Sequence, residues 1–357
     1  MSIPRPRDDL NGLVGYHSPQ LDVSVRLNTN ESPYPPPVEF VDAWLDAVRE
    51  IALNRYPDRD ATRLREALGA FLGQAPDRLL CANGSNEVLQ TLLLTFGGPG
   101  RRVVVFEPSY ALHSHIAAIT GTEVVEGERS ADFTVDVDAA IELVRDVRPV
   151  VTFLCSPNNP TGTVEPLATI EALLDAVDGL VVVDEAYGEF APQSALDLAG
   201  EHERLIVVRT YSKVWSMAAL RLGFCIATPE IVRAMGDVIL PYALAAPTQL
   251  AGEVALGFVH EMRQRVDTLV AERERLVEGL RGLAALTVFP SGANFVLVRV
   301  ADDGHALWER LIDRDVLVRD FSNRDRLENC LRITVGTPEE NDACLAALRE
   351  ALEEVAA

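Results

Sequence analysis

Four short runs in this chain are apolar at nearly every position, without the alternation of a half-buried strand, and each breaks off into a polar, turn-forming segment. They are residues 79–82, 150–155, 180–183 and 205–208. Strands of this kind are buried on both faces, as in a mostly parallel sheet covered by helices on either side. From Leu79 to about Thr228 such strands alternate with helical segments in the βαβ manner, which implies an α/β fold. In open sheets of that class ligands bind beyond the carboxyl ends of the strands, so the segment just beyond each strand matters most.

Residues 205–208 run into Arg209, Thr210, Tyr211, Ser212 and Lys213, with Arg221 eight residues further on. The segment is small, polar and irregular, so Lys213 is expected in a strand-to-helix turn at the sheet edge, where its amine can form a Schiff base. Thr210 and Ser212 offer hydroxyls, and Arg221 a guanidinium fork, to a phosphate. The strand at 180–183 ends in Asp184, and a carboxylate beside a buried pyridine nitrogen keeps that nitrogen protonated. Pro157 and Pro160 stiffen the loop after residues 150–155 and present the Asn159 amide in a fixed direction. Gly84, Ser85 and Asn86 open a helix whose free N–H groups and dipole make an anion site. Each segment by itself also admits a plainer reading: a loop with an incidental lysine, an aspartate that caps a helix, an ordinary strand–helix connection.

Taken in chain order, Asn83-Gly84-Ser85-Asn86, Pro108-Ser109-Tyr110, the stretch 156–162, Asp184-Glu185-Ala186-Tyr187, Thr210-Tyr211-Ser212-Lys213 and Arg221-Leu222-Gly223-Phe224 resemble the motifs of the fold-type-I aminotransferases that use pyridoxal phosphate. Residues 27–33, 54–58 and 330–341 make the chain most similar to the histidinol-phosphate aminotransferases. The resemblance implies a large α/β domain at 28–245 with a mostly parallel sheet, a smaller α+β domain at 246–357, and an N-terminal arm at 1–27 packing on the smaller one. It implies transamination between histidinol phosphate and 2-oxoglutarate in histidine biosynthesis, with aromatic amino-acid aminotransferases and threonine-phosphate decarboxylases as close variants. Carried over by position, Lys213, Asp184 and Tyr110 are catalytic. Gly84, Ser85, Asn86, Asn159, Tyr187, Thr210, Ser212 and Arg221 join them in holding the cofactor, with Tyr56 reaching the phosphate from the other subunit of a homodimer. Tyr16, Asn30, Asn159 and Arg332 contact the substrate. Where some members of the family carry a second arginine after Thr337-Pro338-Glu339-Glu340, this chain has Asn341-Asp342-Ala343-Cys344.

At 357 residues the chain exceeds the size of a single core, which agrees with two domains. The net charge of −22 disfavours nucleic acid and anionic membrane surfaces as partners. Five scattered cysteines suit buried thiols in a reducing compartment, and neither they nor the six histidines show metal-ligand spacing. His113 and His115 read as positions on a helix surface or a domain interface rather than as a ligand pair. The N-terminus lacks a signal-peptide core and no stretch approaches a membrane span, so the expectation is a cytoplasmic enzyme acting on small molecules.

Overall fold

The computed structural model describes residues 3–15 and 18–356. The first part of the chain forms β1 (Val25–Leu27), α1 (Val38–Arg49), α2 (Thr62–Leu72), β2 (Leu79–Asn83), α3 (Ser85–Phe96), β3 (Arg102–Glu107), α4 (Leu112–Ile119) and β4 (Glu123–Glu128). The middle forms α5 (Val137–Val147), β5 (Val151–Cys155), α6 (Leu167–Ala176), β6 (Leu180–Asp184), β7 (Leu205–Thr210), β8 (Leu222–Ile226), α7 (Pro229–Gly236) and α8 (Ala246–Ala255). The remainder forms α9 (Val259–Arg281), β9 (Leu286–Val288), β10 (Phe295–Val300), α10 (Gly304–Ile312), β11 (Val316–Asp320), β12 (Cys330–Thr334) and α11 (Pro338–Ala356).

Among the described residues a seven-stranded sheet has the order β2-β8-β7-β6-β5-β3-β4. Its strands are parallel except β8, which runs against both neighbours. The unalternated apolar runs have the cause expected of them, because successive side chains enter different cores. Val181, Val183 and Val207 lie in one apolar cluster, while Val182, Ile206 and Val208 lie in the other, on the opposite face of the sheet. Each fully buried valine of this kind contributes about 1.5–3 kcal/mol, and both faces are filled.

The stretch after β7 departs from the expected helix start. Residues 211–221 make an irregular turn containing a single 3₁₀ turn, Ala218–Leu220, and the chain reverses into β8, with Thr210 opposite Gly223. Eleven residues are too few for a parallel crossover, which runs to a dozen or more and usually carries a helix. Arg221 makes the reversal in the left-handed region, φ 53°. Gly223 then passes so near the start of α3 that a Cβ on it would stand 2.1 Å from the Ser85 nitrogen and 2.4 Å from the Gly84 carbonyl carbon.

A five-stranded sheet of order β1-β11-β12-β10-β9 is antiparallel apart from the β1–β11 pair. The N-terminal segment therefore contributes an edge strand, with Val25 opposite Val316 and Leu27 opposite Val318. Helix α8 packs on α1, α2 and β8, whereas α9 reaches β9, β10 and α11. The cysteines are unpaired; Cys81 is half-buried and the other four are buried.

Gly223→Ala should cost about 1–3 kcal/mol of unfolding free energy, since the methyl group meets backbone that cannot swing aside. Gly200→Ala, where an added Cβ meets nothing within 4 Å, should stay within about 0.5 kcal/mol of the wild type. Denaturant titration of both checks the difference, and equal stabilities would disprove the tight passage of β8.

Candidate active site

The carboxyl ends of β5, β6 and β7, the start of α3 and the chain segment after β1 surround a cavity of about 420 Å³. At one end lies an anion cradle. Gly84 adopts φ 86°, and a Cβ there would sit 2.7 Å from Arg221 Nη2. Helix α3 begins at Ser85 with no side chain capping it, so its first N–H groups and its positive end point outward. The Ser212 hydroxyl receives a hydrogen bond from Thr210 Oγ1 at 3.0 Å, and Arg221 Nη1 approaches it at 3.4 Å. Helix dipole, hydroxyls and guanidinium thus meet at one point, an arrangement that suits a phosphate.

β6 carries Asp184 into the opposite wall, where it is 1% exposed. Its Oδ1 accepts from the Ala186 N–H at 3.1 Å, and its Oδ2 lies 3.0 Å from His113 Nε2. His113 stands on the first turn of α4, three residues after Tyr110, so the two side chains share a face. Its ring stacks on Phe153 with centroids 4.8 Å apart and meets the Tyr110 ring edge-on at 5.4 Å. The expectation of a surface or interface histidine is thus corrected: His113 is buried and supports the carboxylate. The i, i+3 spacing from Tyr110 was the local signal, but Asp184 lies 71 positions away. Tyr110 in turn donates to Asn86 Oδ1 at 3.2 Å, linking this wall to the start of α3.

Asn158 and Asn159 divide their work. Asn158 ties its loop together through Pro108 O, Thr161 Oγ1 and Ser109 Oγ, while Asn159 borders the cavity. Arg332, on β12, donates from Nη1 to Asn159 Oδ1 at 2.5 Å and from Nη2 to Asn28 O at 2.7 Å. Directly across the strand pair from Arg332 is Arg319. Tyr187 lines the same wall and accepts from Asn30 Nδ2 at 2.9 Å. Beyond β12, Asn341 bonds to both polar groups of the Gly336 backbone.

Lys213 projects into this enclosure and donates to Thr29 O at 2.9 Å. Burial is the main cause that lowers its pKa from 10.5 to about 7, assisted by the nearby charges of Arg332 and Arg221 and opposed by Glu31. It is also the only lysine of the chain, the other 31 of the 32 Lys and Arg residues being arginine, a count that singles it out without any motif.

Tyr16 falls outside the described residues. Tyr56 is 80% exposed and stacked on Tyr242 at 4.5 Å, away from this cavity.

Residues 23–348 match the family model described as aminotransferase class I and II. A histidinol-phosphate aminotransferase from Thermobifida fusca is 49% identical over 353 residues, covering 97% of this chain and 94% of that protein. The crystal structure of histidinol-phosphate aminotransferase from Sinorhizobium meliloti in complex with pyridoxal-5′-phosphate superposes with a TM-score of 0.85 at 24% identity, over 93% of this chain and 92% of that one. L-threonine-O-3-phosphate decarboxylase from Porphyromonas gingivalis superposes with a TM-score of 0.80 at 23% identity, over 92% and 99%. At these identities the two structures speak for the fold alone.

An amine attacks an aldehyde only when uncharged, and the folded state favours that form of Lys213 above pH of about 7. The rate at which cofactor-free protein couples to pyridoxal phosphate, followed by visible absorbance, should rise with pH and reach half its maximum near 7. A midpoint near the ordinary lysine value of 10.5 would show a solvated amine. Lys213→Ala, which has no ε-amine left, should give no signal.

Proposed function

The chain belongs to the class I and II aminotransferases, and on that premise we propose that it transfers the amino group of L-histidinol phosphate to 2-oxoglutarate, giving imidazole acetol phosphate and L-glutamate in histidine biosynthesis. Pyridoxal phosphate is its cofactor. The choice of substrate rests on the 49% identical relative. The chemistry rests on one observation: a lysine amine poised near neutrality shares a single cavity with a buried strand-end carboxylate and an anion cradle.

Bound there, pyridoxal phosphate supplies an aldehyde that takes up amines and a protonated pyridine that draws electron density from the bond being broken. The chain's own residues do the rest. Gly84, Ser85 and Asn86 at the start of α3, with Thr210, Ser212 and Arg221, hold the phosphate. Tyr110 covers a face of the ring, and Asp184, kept in line by His113 and the Ala186 N–H, pairs with the ring nitrogen. Asn159 and Tyr187 serve the ring oxygen. Lys213 would tether the aldehyde, and its amine would accept a proton at Nζ from the substrate's α-carbon and pass it to the carbon that had been the aldehyde's, a task suited to a group that titrates near 7. Arg332, in the cavity wall, pairs with the substrate's anion, for which a planar guanidinium fork is suited. Arg319 stands opposite it in the sheet.

The enzyme works in the cytoplasm as a homodimer in which Tyr56 reaches the cofactor phosphate of the second copy. Supporting this, Leu53, Tyr56 and Leu240 are 85%, 80% and 76% exposed, an apolar grouping of the kind that a subunit interface would cover. Among the described residues no helix is long and apolar enough to cross a membrane.

Incubation of the purified protein with histidinol phosphate and 2-oxoglutarate should release glutamate without carbon dioxide. Carbon dioxide from threonine phosphate would instead favour the decarboxylase, whose fold is the same. In the glutamate assay Asp184→Ala should lose ~10²-fold or more in turnover, the scale of a single electrostatic contribution; full activity would reduce Asp184 to a structural role.

Shared sites predict complementation. Lys213→Ala and Tyr56→Ala subunits, each inactive alone, should regain activity when mixed, because a heterodimer contains one intact site. No recovery after proven subunit exchange would place Tyr56 in its own subunit's site or in none.

A further inference from the structure

We infer that Asn30 is a positioning residue that fixes Tyr187 as a hydrogen-bond donor toward the cavity, and that one face of β12 sets the direction of both donors that border the cofactor ring. The inference deepens the proposed function and rests on its cofactor. Asn30 is 1% exposed and adopts φ 54°, a conformation that asparagine tolerates better than most residues. Its backbone N–H donates to Thr334 Oγ1 at 3.0 Å, and the same hydroxyl donates to Asn30 Oδ1 at 3.0 Å. A hydroxyl carries one hydrogen, so this closed pair turns the amide oxygen toward Thr334 and the NH₂ group away from it.

That NH₂ group meets Tyr187 Oη at 2.9 Å. An amide nitrogen donates and does not accept, so the phenol oxygen is the acceptor here and its own hydrogen is left for another partner. Burial pushes the phenol's pKa well up, so the hydrogen stays in place across neutral pH. The phenol lies on the cavity wall, with Lys213 Nζ 5.8 Å from its ring centroid.

Asn159 follows the same logic. Arg332 Nη1 occupies its amide oxygen, which leaves its NH₂ group to donate elsewhere. Arg332 and Thr334 are two apart on β12 and therefore share a face of that strand. One strand thus backs both donors, the Asn159 amide directly and the Tyr187 phenol through Asn30, and the acceptor that two convergent donors suit is the anionic oxygen of the pyridine ring. Asn30, expected to contact substrate, has both ends of its side chain engaged within the protein, so its effect on the reaction passes through Tyr187.

The readout is the pH midpoint of the visible absorbance of the lysine-bound cofactor. Losing a donor leaves charge on the ring oxygen less stabilised, so the proton shared with it is held to higher pH. Tyr187→Phe should raise the midpoint by about one unit, the scale of one charge-assisted hydrogen bond. Asn30→Asp, whose carboxylate only accepts, draws the Tyr187 hydrogen to itself and should match that rise, whereas Asn30→Ala should give less than half of it. In a Tyr187→Phe background Asn30→Asp should add nothing, while a mere effect of its charge would persist there and overturn the inference. Thr334→Val should raise the midpoint and Thr334→Ser should restore it, which carries the test if position 30 does not tolerate substitution. Equal shifts in Asn30→Asp and Asn30→Ala, or none in either despite normal cofactor uptake, would overturn this inference alone. Failure of the wild type to take up pyridoxal phosphate would overturn the functional reading and this inference with it.

Discussion

Lys213 sits near Arg332 and Arg221 with Glu31 as an offsetting carboxylate, and loss of water does most to strip its charge. An amine in that condition needs enclosure from several directions, and no single element provides it. The β7–β8 turn supplies the lysine, the segment after β1 supplies the carbonyl of Thr29, and β12 supplies Arg332. One of the contacts between the two sheets thus lies where it lowers the basicity of a side chain. Loosening the contact would admit water and return the amine toward an ordinary lysine.

The reversed strand β8 has a comparable consequence at the other end of the cavity. Had the chain after β7 continued into a crossover helix, Arg221 would have been carried away from α3. Turning back at once places Arg221 against Gly84 and brings Gly223 onto the backbone of Ser85. The missing side chain of Gly84 leaves space for the guanidinium beside the helix start, and that of Gly223 lets β8 come against the same backbone.

Much of this is legible in the sequence where the cause is local. The buried strands show themselves by apolar runs, and their ends locate Asp184, Asn159 and Lys213, because a strand end and the loop beyond it are a few residues apart. The reversal after β7 is not legible, since the direction of a strand depends on its neighbours rather than on its own residues. His113 escapes for the same reason: its partners Asp184 and Phe153 are distant in the chain, and a helix with one buried polar position looks like any amphipathic helix. Asn30 does border the cavity, but its orientation depends on Thr334, 304 residues away.

The chain's single ε-amine means that its cationic surface is built from guanidinium groups, which neither lose their proton at ordinary pH nor react with aldehydes or activated esters as amines do. Reagents that normally decorate a protein all over would, above neutral pH, find one ε-amine per chain, at the bottom of the cavity. A fluorescent acylating dye would thus label one ε-amine per chain besides the α-amine, and bound cofactor would block the ε-amine share alone. Attaching the protein to a resin through lysine would plug the cavity, because the only handle of that kind is the amine inside it.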